Sequence, residues 1–283
     1  MNGLKTAALL GLLTAIILVI GNAVGGVRGM TVAFLLAVVL NAVSYWFYDK
    51  IVLMTYRAQP IEREQAPEVY DVLRDLTMKA GLPMPKLYLI PTDAPNAFAT
   101  GRNPQNAVVA VTQGILRLLS REELAGVLAH ELSHVSNRDI LISSVAATLA
   151  GAIMLTARIV EFSFYFGGVG GRSDNRGGNP ISLLIMAVLA PLAATLIQLA
   201  ISRSREFAAD ETGARLAGNA HGLASALEKL QVASQRRPMP ADPASAHLFI
   251  MKPFSGQMLT ALFSTHPPTE KRIERLHEVF GQF

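Results

Sequence analysis

The sequence predicts a mainly helical α+β protein that is held in a membrane by about four transmembrane helices. Hydrophobic residues make up 51% of the 283 residues and charged residues only 16%, which is too apolar for an ordinary soluble domain of this length. Long uncharged runs alternate with segments that carry helix and strand patterns. We therefore expect a soluble part between membrane hairpins. No pattern typical of a nucleic-acid-binding module is present, so nucleic acid is not an expected partner.

Four apolar runs are the candidates for membrane helices. Thr6 to Val27 and Met30 to Tyr48 contain no charged residue, and each is close to the roughly 20 residues that cross the hydrocarbon layer. Ile140 to Ala157 and Ile181 to Ile201 are candidates for a second hairpin. The first run is longer than the apolar core of a secretory signal, about 7 to 15 residues, and is expected to remain as an anchor. The alternative for each run is a buried core helix.

Basic residues around these runs predict the orientation. Lys5 precedes the first run, and Arg28 alone lies in the turn that follows it. Lys50, Arg57 and Arg63 come after the second run. Because Lys and Arg collect on the cytoplasmic side of a membrane protein, both termini and the bulk of the chain are predicted to be cytoplasmic. The absence of cysteine agrees with a reducing compartment.

The same pattern divides the chain into four parts. They are an N-terminal transmembrane hairpin (1–49), a cytoplasmic part with a small sheet (50–139), a second transmembrane hairpin (140–202) and a cytoplasmic helical part (203–283). In the first cytoplasmic part, a helix is predicted from Glu62 to Ala80, ending at Gly81. Three strands are expected after it, at Lys86 to Ile90, Asn96 to Gly101 and Asn106 to Thr112. The last part is expected to hold three helices, Arg205 to Leu216, Leu223 to Ser234 and Pro267 to Val279.

The most informative motif is the H-E-x-x-H pattern from His130 to His134. Ser120 and Glu123 form an S-x-x-E capping box that starts a helix over this motif. Two histidines four residues apart are offset by only about 40° around a helix, so both imidazoles can reach one ion. Glu131 beside them can take a proton from water that the metal activates. A zinc peptidase is the leading hypothesis, and the alternative is two surface histidines on an amphipathic helix.

A catalytic zinc site needs a third protein ligand. The extended motif with a third histidine is excluded, because the glycine and histidine that it requires are absent. Glu206 is the best candidate, since Asp210 lies four residues on and can accept the other N–H of a ligand histidine. A hairpin of the third and fourth runs would return Glu206 to the membrane depth of His134. The alternatives are a solvated Glu206 paired with Arg203 or Arg205, or a third ligand elsewhere, with Glu211 or Asp210 the next residues to test.

Taken together, these features resemble the HtpX family of bacterial membrane-bound zinc endopeptidases, which are relatives of the prenyl-protein proteases. The resemblance rests on the H-E-x-x-H helix, the Glu206-x-x-x-Asp210 element, the four apolar runs and the tail His266-Pro-Pro-Thr-x-x-Arg272. It covers essentially the whole chain. It implies a gluzincin metallopeptidase fold in the bacterial inner membrane, with a cytoplasmic active site and a role in the quality control of membrane proteins.

The resemblance also implies the residues of the site. It implies one zinc ion with three protein ligands, which are His130, His134 and Glu206. Glu131 would be the catalytic base, and Asp210 would support a ligand histidine. His266 is a candidate donor to the developing oxyanion, with Arg272 in support of it. The alternative for His266 is a helix N-cap before two prolines.

The segment Asn96-Ala97-Phe98 resembles the edge strand along which such peptidases lay their substrate. Unfolded membrane proteins would be bound there by backbone pairing, which does not require a deep pocket. The lipid bilayer would be the other partner. Two alternatives remain open. One is an intramembrane metalloprotease, which the charged residues flanking the motif disfavour, and the other is a non-catalytic zinc-binding membrane adaptor.

Overall fold

The computed structural model of the chain describes residues 2–148, 203–239, 245–251 and 267–281. The helices in these ranges are α1 (Asn2–Thr55), α2 (Pro67–Ala80), α3 (Gln113–Leu118), α4 (Arg121–Ser136), α5 (Asp139–Thr148), α6 (Arg203–Ala217), α7 (His221–Arg236) and α8 (Thr269–Phe280). The strands are β1 (Gln59–Pro60), β2 (Lys86–Ile90), β3 (Ala97–Thr100) and β4 (Val108–Thr112). The predicted mainly helical α+β class is therefore confirmed for this part of the chain. The fourth apolar run, the end of the third and His266 lie outside the described residues.

Helix α1 turns back on itself and forms a hairpin. Gly26 interrupts it with a φ of +55°, a left-handed conformation that glycine adopts at little cost. The side chain of Asn41 donates a hydrogen bond to the hydroxyl of Thr14 over 2.9 Å. In a straight helix, two residues 27 positions apart would be separated by about 40 Å. The two arms therefore lie side by side, as expected for the first two apolar runs.

Apolar side chains cover the outside of this hairpin. Among the described residues, Gly26–Thr55 is the helical segment that is long and apolar enough to cross a membrane, while Thr6–Val19 and Asp139–Thr148 are shorter apolar helices. Phe34 is 51% exposed and Leu35 is 62% exposed. An apolar surface of this kind supports membrane association.

A four-stranded sheet has the order β1-β2-β4-β3. Strands β2 and β4 are parallel, whereas β3 runs antiparallel to β4 and lies at the edge. Strand β2 has the predicted bounds. Strand β4 begins two residues later than predicted, because Pro104–Asn106 forms a 3-10 turn that the side chain of Asn103 caps. The sheet thus presents β3 as its outer strand beside the motif helix.

Helix α2 is shorter than predicted. The chain from Glu62 to Gln65 forms a hydrogen-bonded turn, and Pro67 opens the helix, where its missing N–H costs nothing. The prediction that the helix began at Glu62 was therefore wrong. Its predicted end is confirmed, because Gly81 takes the left-handed cap conformation with a φ of +64°.

Helix α4, which carries the H-E-x-x-H motif, is central to the fold. Ser120 and Glu123 form the predicted capping box, and the apolar side of α4 is buried against α2, α6 and α7. Two glycines permit close packing. A Cβ on Gly126 would lie 2.5 Å from the backbone nitrogen of Leu223, and one on Gly213 would lie 2.8 Å from that of His130. Helices α6 and α7 therefore approach the α4 backbone closely.

Candidate metal centre

Helices α4 and α6 bring three candidate ligands together. The Nε2 atom of His130 is 3.9 Å from one carboxylate oxygen of Glu206, and the Nε2 atom of His134 is 3.5 Å from the other. The ligand atoms of all three residues lie within 4.8 Å of one another. Two imidazole nitrogens and one carboxylate therefore face a common point, a donor set that suits zinc.

A buried carboxylate and guanidinium support His130. Asp210 lies one turn after Glu206 on α6, and its carboxylate accepts a hydrogen bond from Nδ1 of His130 over 2.9 Å. Arg272 of α8 donates two hydrogen bonds to the same carboxylate, at 2.6 and 2.8 Å. Each of the three side chains is no more than 3% exposed. This arrangement directs Nε2 of His130 towards Glu206.

His134 has a second support of the same chemical type. Its Nδ1 atom is 3.4 Å from the carboxylate of Asp139, the first residue of α5. Arg205 of α6 donates to that carboxylate over 3.2 Å. Sequence reasoning missed Asp139 and Arg205, although Arg205 directly precedes Glu206 in the chain. The structure thus gives each histidine its own carboxylate and arginine.

Glu131 lies beside the candidate ligands and faces strand β3. Its carboxylate is buried and accepts a hydrogen bond from the backbone N–H of Ala99 over 2.9 Å. Burial raises the pKa of Glu131 to about 8, even though the nearby charge of His134 acts in the opposite direction. In the metal-free site this carboxyl group is therefore mostly protonated at neutral pH, and a divalent cation bound beside it would favour its ionised form.

The two histidines differ in their affinity for protons. Burial lowers the pKa of His130 to about 4, so its imidazole is neutral at neutral pH. Burial also acts against charge on His134, but Glu206 and Asp139 outweigh it and raise the pKa of His134 to about 9. The site thus attracts positive charge, and a divalent cation would displace the proton from His134 when it binds.

The predicted substrate strand is in contact with another part of the same chain. The carbonyl of Ala97 accepts a hydrogen bond from the N–H of Ile250 over 3.0 Å. The side chain of Asn96 exchanges two hydrogen bonds with the backbone of Met251, at 3.0 and 3.2 Å. Phe98 is fully buried and packs against Phe249. Ile250 and Met251 therefore lie along the outer edge of this strand at Asn96 and Ala97.

A cavity beside the three ligands is lined by β3, α4, α5, α6 and residues 245–251. His247 borders it, and its Nε2 atom lies 3.1 Å from the carbonyl of Ser143. The sequence offered no partner pattern for His247, because Ser143 is 104 residues away in the chain. His134 is the most exposed of the candidate ligands, at 16%, so the site opens on its side.

The structure describes Arg272, whereas His266 lies outside the described residues. Arg272 is buried against Asp210, and one of its nitrogens lies 3.5 Å from Nδ1 of His130. Arg272 therefore lies on the Nδ1 side of His130. His266 is outside the described residues, so its predicted role as an oxyanion donor stays a prediction.

The comparisons with known proteins agree with this geometry. The profile of Peptidase family M48 matches residues 63–279. A relative named "Protease HtpX homolog" from Syntrophobacter fumaroxidans is 58% identical over 277 residues, which are 97% of this chain and 98% of the relative. A second protein of that name, from Pyrococcus furiosus, is 52% identical over 276 residues, which are 97% of this chain and 95% of the relative.

The crystal structure of S. mikatae Ste24p has a similar fold, with a TM-score of 0.54 at 18% sequence identity. The match covers 97% of this chain and 64% of that chain. At this identity the likeness concerns the fold alone. Since the family profile spans most of the sequence and the relatives are more than half identical, this chain belongs to peptidase family M48 and is a metalloprotease.

Proposed function

We propose that this protein is a zinc-dependent endopeptidase that cleaves unfolded or damaged membrane proteins at the cytoplasmic face of the bacterial inner membrane. The observation that carries the proposal is the convergence of His130, His134 and Glu206 within 4.8 Å, with Glu131 on the same helix. Both Nδ1 atoms contact carboxylates, which leaves both Nε2 atoms for a metal. The names of the relatives support the assignment to proteolysis.

The proposed chemistry depends on one zinc ion per chain, held by His130, His134 and Glu206. Bound zinc would supply Lewis acidity, which lowers the pKa of water and polarises a peptide carbonyl. Glu131 would accept a proton from water at its buried carboxylate and pass it to the departing amine. The hydrogen bond from the backbone N–H of Ala99 holds the Glu131 carboxylate beside the candidate ligands.

His266 is proposed to donate a hydrogen bond to the developing oxyanion. The loss of one such donor typically lowers turnover by about 10²- to 10³-fold. We expect His266→Ala to have this effect while the zinc content stays intact, measured by metal analysis and a peptidase assay on the same preparation. Wild-type turnover in this variant would instead support the role of a helix cap before Pro267.

Substrate is proposed to pair with the backbone at the edge of β3, along Asn96, Ala97 and Phe98. The position of β3 at the edge of the sheet and its contact with Glu131 support this. Since Ile250 is bonded to the carbonyl of Ala97, pairing with a substrate would require residues 250 and 251 to separate from the strand. Recognition through the backbone favours extended chains of many sequences.

For the membrane we propose four spans, both termini in the cytoplasm and the four-part division given above. The hairpin bend at Gly26 and the apolar surface of Gly26–Thr55 support the first two spans. A reporter fused after residue 283 should be active in the cytoplasm, and activity on the opposite side would contradict this orientation. Cysteines placed between Gly167 and Asn179 should be labelled from outside the cytoplasm if the second hairpin crosses the membrane.

The decisive experiment separates the roles of two carboxylates. Glu131→Gln should keep stoichiometric zinc and lose cleavage of casein and of an unfolded membrane protein, because it removes only the base. Glu206→Ala should lose both zinc and cleavage, because two histidines alone hold zinc far less well. Glu211→Gln is the matched control, since Glu211 pairs with Arg215 one turn away on the same helix.

Each outcome has a definite meaning. Stoichiometric zinc in folded Glu206→Ala would place the third ligand elsewhere, and Glu211 and Asp210 would then be the next residues to test. If the wild-type protein held zinc but cleaved neither substrate, and Glu131→Gln changed nothing, the protein would be a zinc-binding adaptor. Metal content is the primary measurement, because activity alone does not distinguish a ligand from a base.

A further inference from the structure

The second support of the metal site joins two parts of the chain that are far apart in sequence. Asp139 and Arg205 are 66 residues apart, and their side chains meet over 3.2 Å. Asp139 opens α5, and Arg205 lies in the first turn of α6. The segment between them, 140–202, is the one that the sequence predicts to be the second membrane hairpin. The ion pair therefore joins the start of α5 to the first turn of α6 beside the metal site.

The turn between α4 and α5 brings Asp139 to His134. Arg138 has a φ of +58°, which is uncommon for a residue with a side chain. This conformation ends α4 after the motif and starts α5 at Asp139, whose carboxylate is only 4% exposed and lies 3.4 Å from Nδ1 of His134. Strained backbone conformations persist where the surrounding structure stabilises them, often at functional sites.

The contact between Asp139 and His134 orients the imidazole of His134. A carboxylate that accepts the Nδ1 proton of an imidazole fixes the tautomer and leaves the Nε2 lone pair for a metal. The distance of 3.4 Å is at the long end for a hydrogen bond. Arg205 makes a second contact with the same carboxylate, which restricts its orientation, and the arginine side chain is 18% exposed. Arg205 also directly precedes Glu206 in the chain. It therefore connects the carboxylate that holds His134 to a second ligand.

We propose that Asp139 and Arg205 act together as positioning residues for the metal centre. They orient His134 and hold the start of α5 against the first turn of α6, which carries Glu206. This inference rests on the proposed zinc site, and its test is designed so that the two can fail separately.

The test measures zinc affinity by competition with a chelator, together with the visible absorption spectrum of the cobalt-substituted protein in detergent. Asp139→Asn should weaken zinc binding by about 10- to 100-fold, as changes next to a ligand histidine typically do, and should shift the cobalt bands. Arg205→Gln should weaken binding less. The double variant should be no weaker than Asp139→Asn alone, because the two residues act in series.

Two further variants make the result specific. Arg203→Gln removes an exposed arginine from the same helix turn and should leave affinity and spectrum unchanged. Asp210→Asn makes the same exchange on the support of His130 and should weaken zinc binding at least as much as Asp139→Asn. Arg205→Lys keeps the charge and should restore part of the affinity that Arg205→Gln loses.

Several results would overturn the inference. Unchanged zinc affinity and an unchanged cobalt spectrum in Asp139→Asn would do so, as would full additivity of the two single variants. If Asp139→Asn did not fold, Arg205→Gln would serve in its place, and wild-type affinity and spectrum in that variant would overturn the proposal. Failure of the wild-type protein to bind zinc would contradict the proposed function itself, which is a different result.

Discussion

His130 and His134 lie on one helix, four residues apart, but the protein supports them in different ways. His130 is held by Asp210 over 2.9 Å, and Arg272 binds both oxygens of that carboxylate in the core. His134 is held over 3.4 Å by Asp139, which belongs to the start of an apolar helix. The first support depends on packing between α4, α6 and α8. The second depends on the contact between the start of α5 and the first turn of α6.

The largest effect is expected from removing the arginine of the first support. Arg272→Ala would leave the carboxylate of Asp210 buried without its cation, and breaking a buried pair in this way costs about 3 to 5 kcal/mol. The measurement is the free energy of unfolding of the metal-free protein in detergent. Arg205→Ala is the matched variant for the support of His134. It should cost less than Arg272→Ala, because the Arg205 side chain is 18% exposed and Asp139 keeps its contact with His134. Equal costs would contradict the distinction between the two supports.

An intermediate effect is expected where α6 touches the α4 backbone behind His130. Gly213→Ala would place a methyl group 2.8 Å from the backbone nitrogen of His130, and overpacking of this kind costs about 1 to 3 kcal/mol. It should weaken both stability and zinc affinity, since α6 carries Glu206. Gly126→Ala, which meets the backbone of Leu223 instead, should reduce stability without a comparable loss of zinc affinity. Equal zinc affinities in the two variants would contradict this expectation.

The smallest effect is a pH dependence that separates the two supports in the metal-free protein. The Arg272 guanidinium offsets burial and holds the pKa of Asp210 at about 2. Its stabilisation is present above about pH 4 and is lost as the pH falls towards 2. The pKa of His134 is raised to about 9, so its stabilisation is present below about pH 6.5 and is lost as the pH rises through 9.

The measurement is the melting temperature of chelator-treated protein between pH 3 and 10, and a decrease of a few degrees is expected at alkaline pH. Glu131, whose pKa is raised to about 8, also titrates in this range, so His134→Gln and Glu131→Gln are measured side by side to separate the two groups. An alkaline decrease of the same size in His134→Gln would show that His134 is not its source.

Local patterns in the sequence predicted the elements around the site well. The capping box at Ser120 and the strand from Lys86 to Ile90 were found because each depends on neighbouring residues. The start of α2 was missed, because the turn before Pro67 competes with a helical pattern. Asp139 and Arg205 were missed for another reason. Their contact joins residues 66 positions apart. The periodicity of a single helix or strand does not indicate such a contact.

The contact between Ile250 and the edge of β3 has a consequence for the choice of substrate. The carbonyl of Ala97 and the N–H of Ala99 are both already bonded within the chain. Any peptide that adds to this strand must therefore compete with a tethered segment, whose effective concentration is high because it cannot diffuse away. If substrates add to this strand as proposed, a long extended polypeptide offers many backbone groups in succession and is expected to displace the segment more readily than an exposed turn of a folded protein.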